Sequence, residues 1–140
     1  MPYADQPLAS TPRRRPALPH FAVDVWYGGR AAAWISPRGE LDLASASKLE
    51  HALQAALSWA LLIVIDLREL TFCDCAGVHL LVEAEARARH SRRRLVIARG
   101  DAQFDRLFAL VGLAERLEIV DLEPVLAPAP EAPADWPSVA

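Results

Sequence analysis

The sequence predicts an α/β domain: an N-terminal β-hairpin, then helices and strands alternating around one mixed sheet in the order β-β-α-β-α-β-α-β. Three observations predict it. Phe21, Val23, Val25 and Tyr27 alternate with smaller or polar residues, the period of a half-buried strand. Leu61-Leu62-Ile63-Val64-Ile65 and Leu95-Val96-Ile97-Ala98 are continuously apolar, as strands covered on both faces are. Around these runs, three stretches repeat their apolar residues at helical spacing.

The hairpin comes first. Gly28-Gly29 follows the alternating run, a two-residue turn that permits the positive φ angles a hairpin needs. Ala31 to Ser36 returns as the second strand, with Trp34 and Ile35 its large residues. Pro37 to Asp42 reads as a loop ending in a helix N-cap, Asp42. Leu49, Leu53, Ala56, Leu57 and Ala60 then mark a helix from about Ala44 to about Ser58.

The first apolar run is followed by a junction, Thr71-Phe72-Cys73-Asp74-Cys75-Ala76-Gly77-Val78, and a helix from about Ala76 to about His90. In that helix Val78, Leu81, Ala84 and Ala88 share a face, and Glu83–Arg87 and Glu85–Arg89 are i,i+4 pairs in the favourable order. Arg92-Arg93-Arg94 reads as a solvated helix-to-strand connection, with a basic binding patch as the alternative. After the second run, Phe104, Leu107, Phe108 and Val111 give a third helix with Gly112 as its C-cap, and Leu117 to Val120 a closing strand. Short connections and right-handed crossovers make the later strands parallel.

Residues 1–20 and 124–140 each hold five of the eleven prolines. Proline at that density opposes helix and ladder hydrogen bonds, so both ends are expected to be disordered tails flanking a domain over 21–123. Trp136 in the second tail is read as incidental, a docking residue being the alternative. A body of about 100 residues suffices for one core. The formal net charge of −3 offers no basic face for nucleic acid. No apolar run is long enough to span a membrane, and Cys73 and Cys75 are too close in sequence for a standard disulfide. The expected setting is cytoplasmic, with no membrane or direct nucleic-acid partner.

Enzyme signatures are missing. There is no dinucleotide-binding glycine fingerprint, P-loop or nucleophile elbow, so no catalytic residue and no cofactor are expected. Cys73, Cys75 and His79 loosely resemble metal ligands, but a structural zinc site wants four, and no metal is assigned. What the junction does offer is an Asp and a Cys at a helix start, where exposed N–H groups suit a modification, an anion or a partner.

Two segments together carry a resemblance. Gly39-Glu40-Leu41-Asp42 with Ala44 and Leu49 looks like the G-E-L-D loop and first helix of STAS domains, the anti-sigma factor antagonists. Asp66-Leu67 and Thr71 to Val78 are similar to that family's D-L-…-F-x-D-S-[ST]-G-[LV] signature. Leu107 to Leu113 resembles its third-helix ending, so the resemblance spans residues 21–121 in order. It implies a compact α/β module, monomeric or weakly dimeric, that docks on an anti-sigma factor. That partner is usually a GHKL-type serine kinase, which phosphorylates the serine after the signature aspartate and thereby ejects the antagonist.

Carried over by position, Asp74 is the signature aspartate, Cys75 stands where the acceptor serine belongs, Ala76 replaces the second Ser/Thr, and Gly77 is the family glycine. The implied partner-binding set is Glu40, Asp42, Asp74, Cys75, Ala76, Gly77 and Val78. A thiol is a poor phosphoryl acceptor for a serine kinase, and without a charge of about −2 at the helix start the usual switch is missing. The expectation is therefore an antagonist lacking the serine phosphoswitch. Two alternatives stand beside it. One is a redox-sensing module in which the helix N-terminus activates the Cys75 thiol, against a small buried cysteine. The other is a STAS subunit of a larger regulatory or transport assembly.

Overall fold

The computed structural model describes residues 20–28, 31–122 and, as backbone, 138–139. Strands β1 (Phe21–Gly28) and β2 (Ala32–Leu41) form the expected antiparallel hairpin, in register from Phe21↔Gly39 to Gly28↔Ala32. The turn residue Gly29, nearly all of both expected tails, and Trp136 lie outside the described residues.

The expected loop from Pro37 to Asp42 is corrected: β2 runs on through Pro37 and Gly39 to Leu41. Strand alternation explains why proline is tolerated there. Glu40 N–H points to β1, donating to His20 C=O at 2.9 Å, and Gly39 N–H points the other way, to Glu69 C=O at 3.3 Å. The missing N–H of Pro37 therefore faces away from β1, in the gap where β2 changes neighbours, and no ladder bond is forfeited. Gly39 adopts φ 99°, and a Cβ there would meet the His20 carbonyl oxygen at 2.0 Å, so only glycine lets the strand continue.

Helix α1 (Ala46–Leu57) follows, two residues later than expected, then β3 (Leu62–Asp66). A short strand that the sequence pattern does not predict, β4 (Leu70–Cys73), precedes helix α2 (Cys75–His90), so the order is β-β-α-β-β-α-β-α-β. Strand β5 (Arg94–Ala98), helix α3 (Ala102–Leu110) and strand β6 (Ile119–Val120) complete the alternation. Ser138–Val139 adds a two-residue strand, β7, antiparallel to β1, a pairing absent from the expectation for 124–140.

The strands form one mixed sheet in the order β6-β5-β3-β2-β1-β7, with β4 paired to β2 off this path. The β2–β3, β3–β5 and β5–β6 pairs are parallel, as expected, and the unpredicted β4 is also parallel to β2. β3 lies beside the first half of β2 (Ala32–Ile35), and β4 beside its last residues (Gly39–Leu41). One strand thus carries both neighbours.

Each crossover advances the same way across the sheet, and right-handed crossovers then place α1, α2 and α3 on one face. The core agrees. Leu49 and Leu53 of α1, Leu81 of α2 and Phe104 and Phe108 of α3 share one buried cluster with the register row Val25, Ile35, Ile65 and Ile97. Each such large side chain contributes about 1.5–3 kcal/mol by leaving water.

Two helices end in the same hydrogen-bond pattern. At α3, Leu113 N–H donates to Phe108 C=O at 2.8 Å and Gly112 N–H to Ala109 C=O at 3.1 Å, with Gly112 at φ 75°. At α2, Arg93 N–H donates to Ala88 C=O at 2.7 Å and Arg92 N–H to Arg89 C=O at 3.1 Å, with Arg92 at φ 62°. The arginine run is thus a connection with built-in roles. Arg92 takes the left-handed turn, Arg93 Nη1 donates to Ala60 C=O, and Arg94 pairs with Glu118.

Candidate functional site

The two segments singled out in the sequence meet where β2 and β4 end. Leu41 and Cys73 are register partners, and Asp74 N–H donates to Leu41 C=O at 3.1 Å. The first turn of each following helix is built from this junction.

On the α1 side, Asp42 and Ser45 cap one another. Ser45 N–H donates to Asp42 Oδ1 at 2.9 Å, Asp42 N–H donates to Ser45 Oγ at 2.9 Å, and Ser45 Oγ donates to Glu40 C=O at 2.8 Å. This is the reciprocal geometry of a capping box. The regular helix begins after Ser45, whose side chain makes no cap bond of its own, so the expected Asp42 cap acts one turn early. The Ser45 N–H, and next its hydroxyl, hold the Asp42 carboxyl below its ordinary pKa.

On the α2 side, Asp74 is the N-cap, with extended backbone and Oδ1 accepting from Gly77 N–H at 3.0 Å. Cys75 is the first residue of the helix and is exposed. The small buried cysteine is Cys73, so the reading of Cys75 as buried is corrected. Burial first, then the Asp74 and Cys75 charges, push the Cys73 thiol up to about 12. Its environment disfavours the thiolate.

Gly77 and Val78 belong under the surface. Gly77 is buried, and a Cβ on it would lie 2.7 Å from Cys73 Sγ and 2.8 Å from Leu41 Cγ. The close neighbours that require glycine are therefore side chains of β2 and β4. Val78 is 4% exposed and part of the core. The side chains presented outward are Glu40 and Cys75, with Asp42, Asp74 and Ala76 half-buried.

Sequence reasoning missed two apolar residues at this end of the sheet. Leu43 is 80% exposed, and Phe72, the register partner of Glu40, is 46% exposed. Phe72 turns outward because Gly39 pairs with Leu70 and Glu40 with Phe72, leaving Thr71 as a bulge. Leu43 had a sequence signal: it sits between Asp42 and the helical repeat without belonging to that repeat.

Residues 29–123 match the family described as Mlab, STAS domain. The chain belongs to the STAS domain family. This STAS chain is 30% identical over 86 residues to the anti-sigma-B factor antagonist of Listeria monocytogenes, covering 61% of this chain and 75% of that protein. Its fold resembles the anti-sigma factor antagonist SpoIIAA in its unphosphorylated form, with TM-score 0.64 and 19% identity, covering 74% and 90% of the two chains. An anti-sigma factor antagonist from Mycobacterium paratuberculosis gives TM-score 0.62 and 20% identity, covering 73% and 86%. By family and fold the STAS chain is thus of the anti-sigma factor antagonist type, whose members are protein-binding regulators. Among the described residues no helix is long and apolar enough to cross a membrane.

Proposed function

We propose that this STAS chain is an anti-sigma factor antagonist that binds a kinase-type anti-sigma factor and so releases a sigma factor, without a serine phosphoswitch. One observation carries the reading. The family's acceptor position, at the start of a helix capped by the signature aspartate, presents an exposed thiol, Cys75, in place of a hydroxyl. Glu40, Asp42, Asp74, Cys75 and Ala76 form the docking surface, with Leu43 and Phe72 as its apolar anchors; Gly77 and Val78 support it from below. Exposed apolar side chains within a polar rim are the composition of a binding patch.

The test is co-purification with a candidate anti-sigma kinase, followed by incubation with ATP. Wild type is expected to bind and to stay unphosphorylated. Leu43→Asp with Phe72→Ser is expected to weaken binding at least tenfold with the fold intact, and Cys75→Ser to restore phosphate transfer at residue 75. Phosphate on any hydroxyl of the wild-type chain would overturn the lost switch, and undiminished binding by the double variant would overturn the surface.

The exposure of Cys75 also favours redox sensing as a second reading. Failure of dilute hydrogen peroxide to oxidise Cys75 to a sulfenic acid in the native chain, read by mass spectrometry, would exclude it.

A further inference from the structure

At the end of the sheet remote from Cys75, α1 and α2 stop side by side, where β3 and β5 begin. Arg94 N–H donates to Leu61 C=O at 2.9 Å, and Arg93 Nη1 donates to Ala60 C=O, so the two helix-to-strand connections are tied together. Between the helix ends lies a groove of about 580 Å³, within the ~300–1,000 Å³ of ordinary binding clefts. Gln54, Leu57 and Ser58 line it from the α1 side, and Ala86, Arg87 and His90 from the α2 side. Leu57 and Ala86, both half-buried, are its apolar part.

The charge around the groove has one sign. No acidic residue lines it. From Ala52 to Leu61 the chain carries no charge, and from Ala86 to Arg94 it carries five arginines and a histidine with no acid. Arg87, Arg89 and His90 oppose the negative end of the α2 dipole, which accounts for a basic last turn but not for how its charges are partnered. Arg89 pairs with Glu85 at 3.0 Å, and Arg94 pairs with Glu118. The sequence pattern pairs Arg87 with Glu83, but Glu83 lies with His79 instead, at 3.2 Å. Among the described residues the Arg87 guanidinium is thus left with no carboxylate and no hydrogen bond, and it stands at the groove.

A bare anion suits this place poorly, because two helix C-termini, each with a partial negative charge, border it. A carboxylate carried on a side chain can reach the free arginine from outside, while an apolar neighbour on the same segment enters beside Leu57 and Ala86. We propose that the groove between the ends of α1 and α2 is a docking site for an acidic amphipathic helix of a partner protein. Its apolar face lies on Leu57 and Ala86, and its carboxylates meet Arg87, with His90 beside it. Along α2, a rise of about 1.5 Å per residue sets Arg87 roughly 18 Å from Cys75. The groove and the Cys75 end can therefore be occupied at once, and the site stands whatever binds at that end.

The test is an NMR titration of the full chain, isotopically labelled, with a synthetic helical peptide that carries leucines on one face flanked by glutamates. Amide shifts of Leu57, Ser58, Arg87 and His90 are expected to move while those of Asp74 to Val78 stay in place. A counterpart peptide with glutamine for every glutamate is expected to bind at least tenfold more weakly. Arg87→Gln, which keeps most of the side-chain stem, is expected to weaken the glutamate peptide at least tenfold and to leave the glutamine peptide unaffected. Three outcomes overturn the proposal: no shifts at the groove, equal binding of the two peptides, or undiminished binding by the variant. Shifts that appear on concentrating the chain alone would make a second copy the occupant and equally overturn it. Free glutamate or inorganic phosphate reproducing the shifts at the same concentration would do so too, by reducing the groove to a site for charge alone.

Discussion

Leu41 occupies the space that a side chain on Gly77 would need: a Cβ there would lie 2.8 Å from Leu41 Cγ, and 2.7 Å from Cys73 Sγ. The end of β2 and the first turn of α2 are thereby held against each other with no room between them. Gly77→Ala sets two effects in opposition. Alanine improves helix propensity by about 1 kcal/mol, while overpacking a fixed core site costs about 1–3 kcal/mol. Leu41 is fully buried and cannot yield cheaply, so net destabilisation is expected in urea unfolding. A more stable Gly77→Ala would show that the junction can open. For the same reason Gly77→Arg would disturb the fold and is no clean probe of the surface.

Arg92 presents the reverse case. It holds φ 62° at the end of α2, in the position Gly112 fills at the end of α3. An L-residue pays roughly 1 kcal/mol there, and glycine does not, against glycine's larger entropy in the unfolded chain. Arg92→Gly is expected to raise the thermal midpoint slightly, by a stabilisation of about 0.5 kcal/mol. A lowered midpoint would mean that the Arg92 side chain contributes more than its backbone strain costs.

Asp66 links acid stability to β3. Burial raises its pKa, but the Arg68 hydrogen bonds and charge, together with the Trp34 indole N–H at 3.2 Å, hold it on balance below the ordinary value. A depressed carboxylate contributes stability that is fully present above its unfolded pKa of about 3.9 and is lost as the pH falls through the folded value. Asp66→Asn is expected to lower stability at pH 7 and to flatten its decline below about pH 4. Asp42, depressed by Ser45, would still leave some slope in that window. An unchanged acid profile would remove Asp66 from this role.

The two cysteines are expected to differ sharply towards alkylating agents. Cys75 is exposed, whereas Cys73 is buried and its thiol pushed up to about 12. In the native chain, iodoacetamide should modify Cys75 readily and Cys73 only on unfolding. The Cys75→Ser variant should then show almost no native reactivity by mass spectrometry. Comparable rates for the two would contradict the buried place of Cys73.

Much of this fold was legible because its signals are local and uninterrupted. The apolar runs of β3 and β5 and the repeats of α1, α2 and α3 each report one environment over a whole element. β4 was hidden for the opposite reason. Its bulge leaves Thr71 and Phe72 both exposed between buried Leu70 and Cys73, so neither period survives. The second half of β2 was hidden by Pro37 and Gly39, which read as loop residues until the change of neighbouring strands explains the proline and the His20 carbonyl the glycine. At the site, Asp74 as a cap could be read from its place before the helix, but which cysteine faces inward could not. That depends on the bulge, a feature of pairing rather than of sequence period.

The frame beneath residue 75 is made entirely by others: Asp74 with Gly77, Asp74 with Leu41, and Asp42 with Ser45. The thiol of Cys75 donates none of those bonds. Serine and cysteine codons are neighbours, separated by a single base change. A lineage can therefore exchange a phosphorylatable residue for a thiol, or return to it, without rebuilding the scaffold, so that chemistry at this position evolves independently of shape.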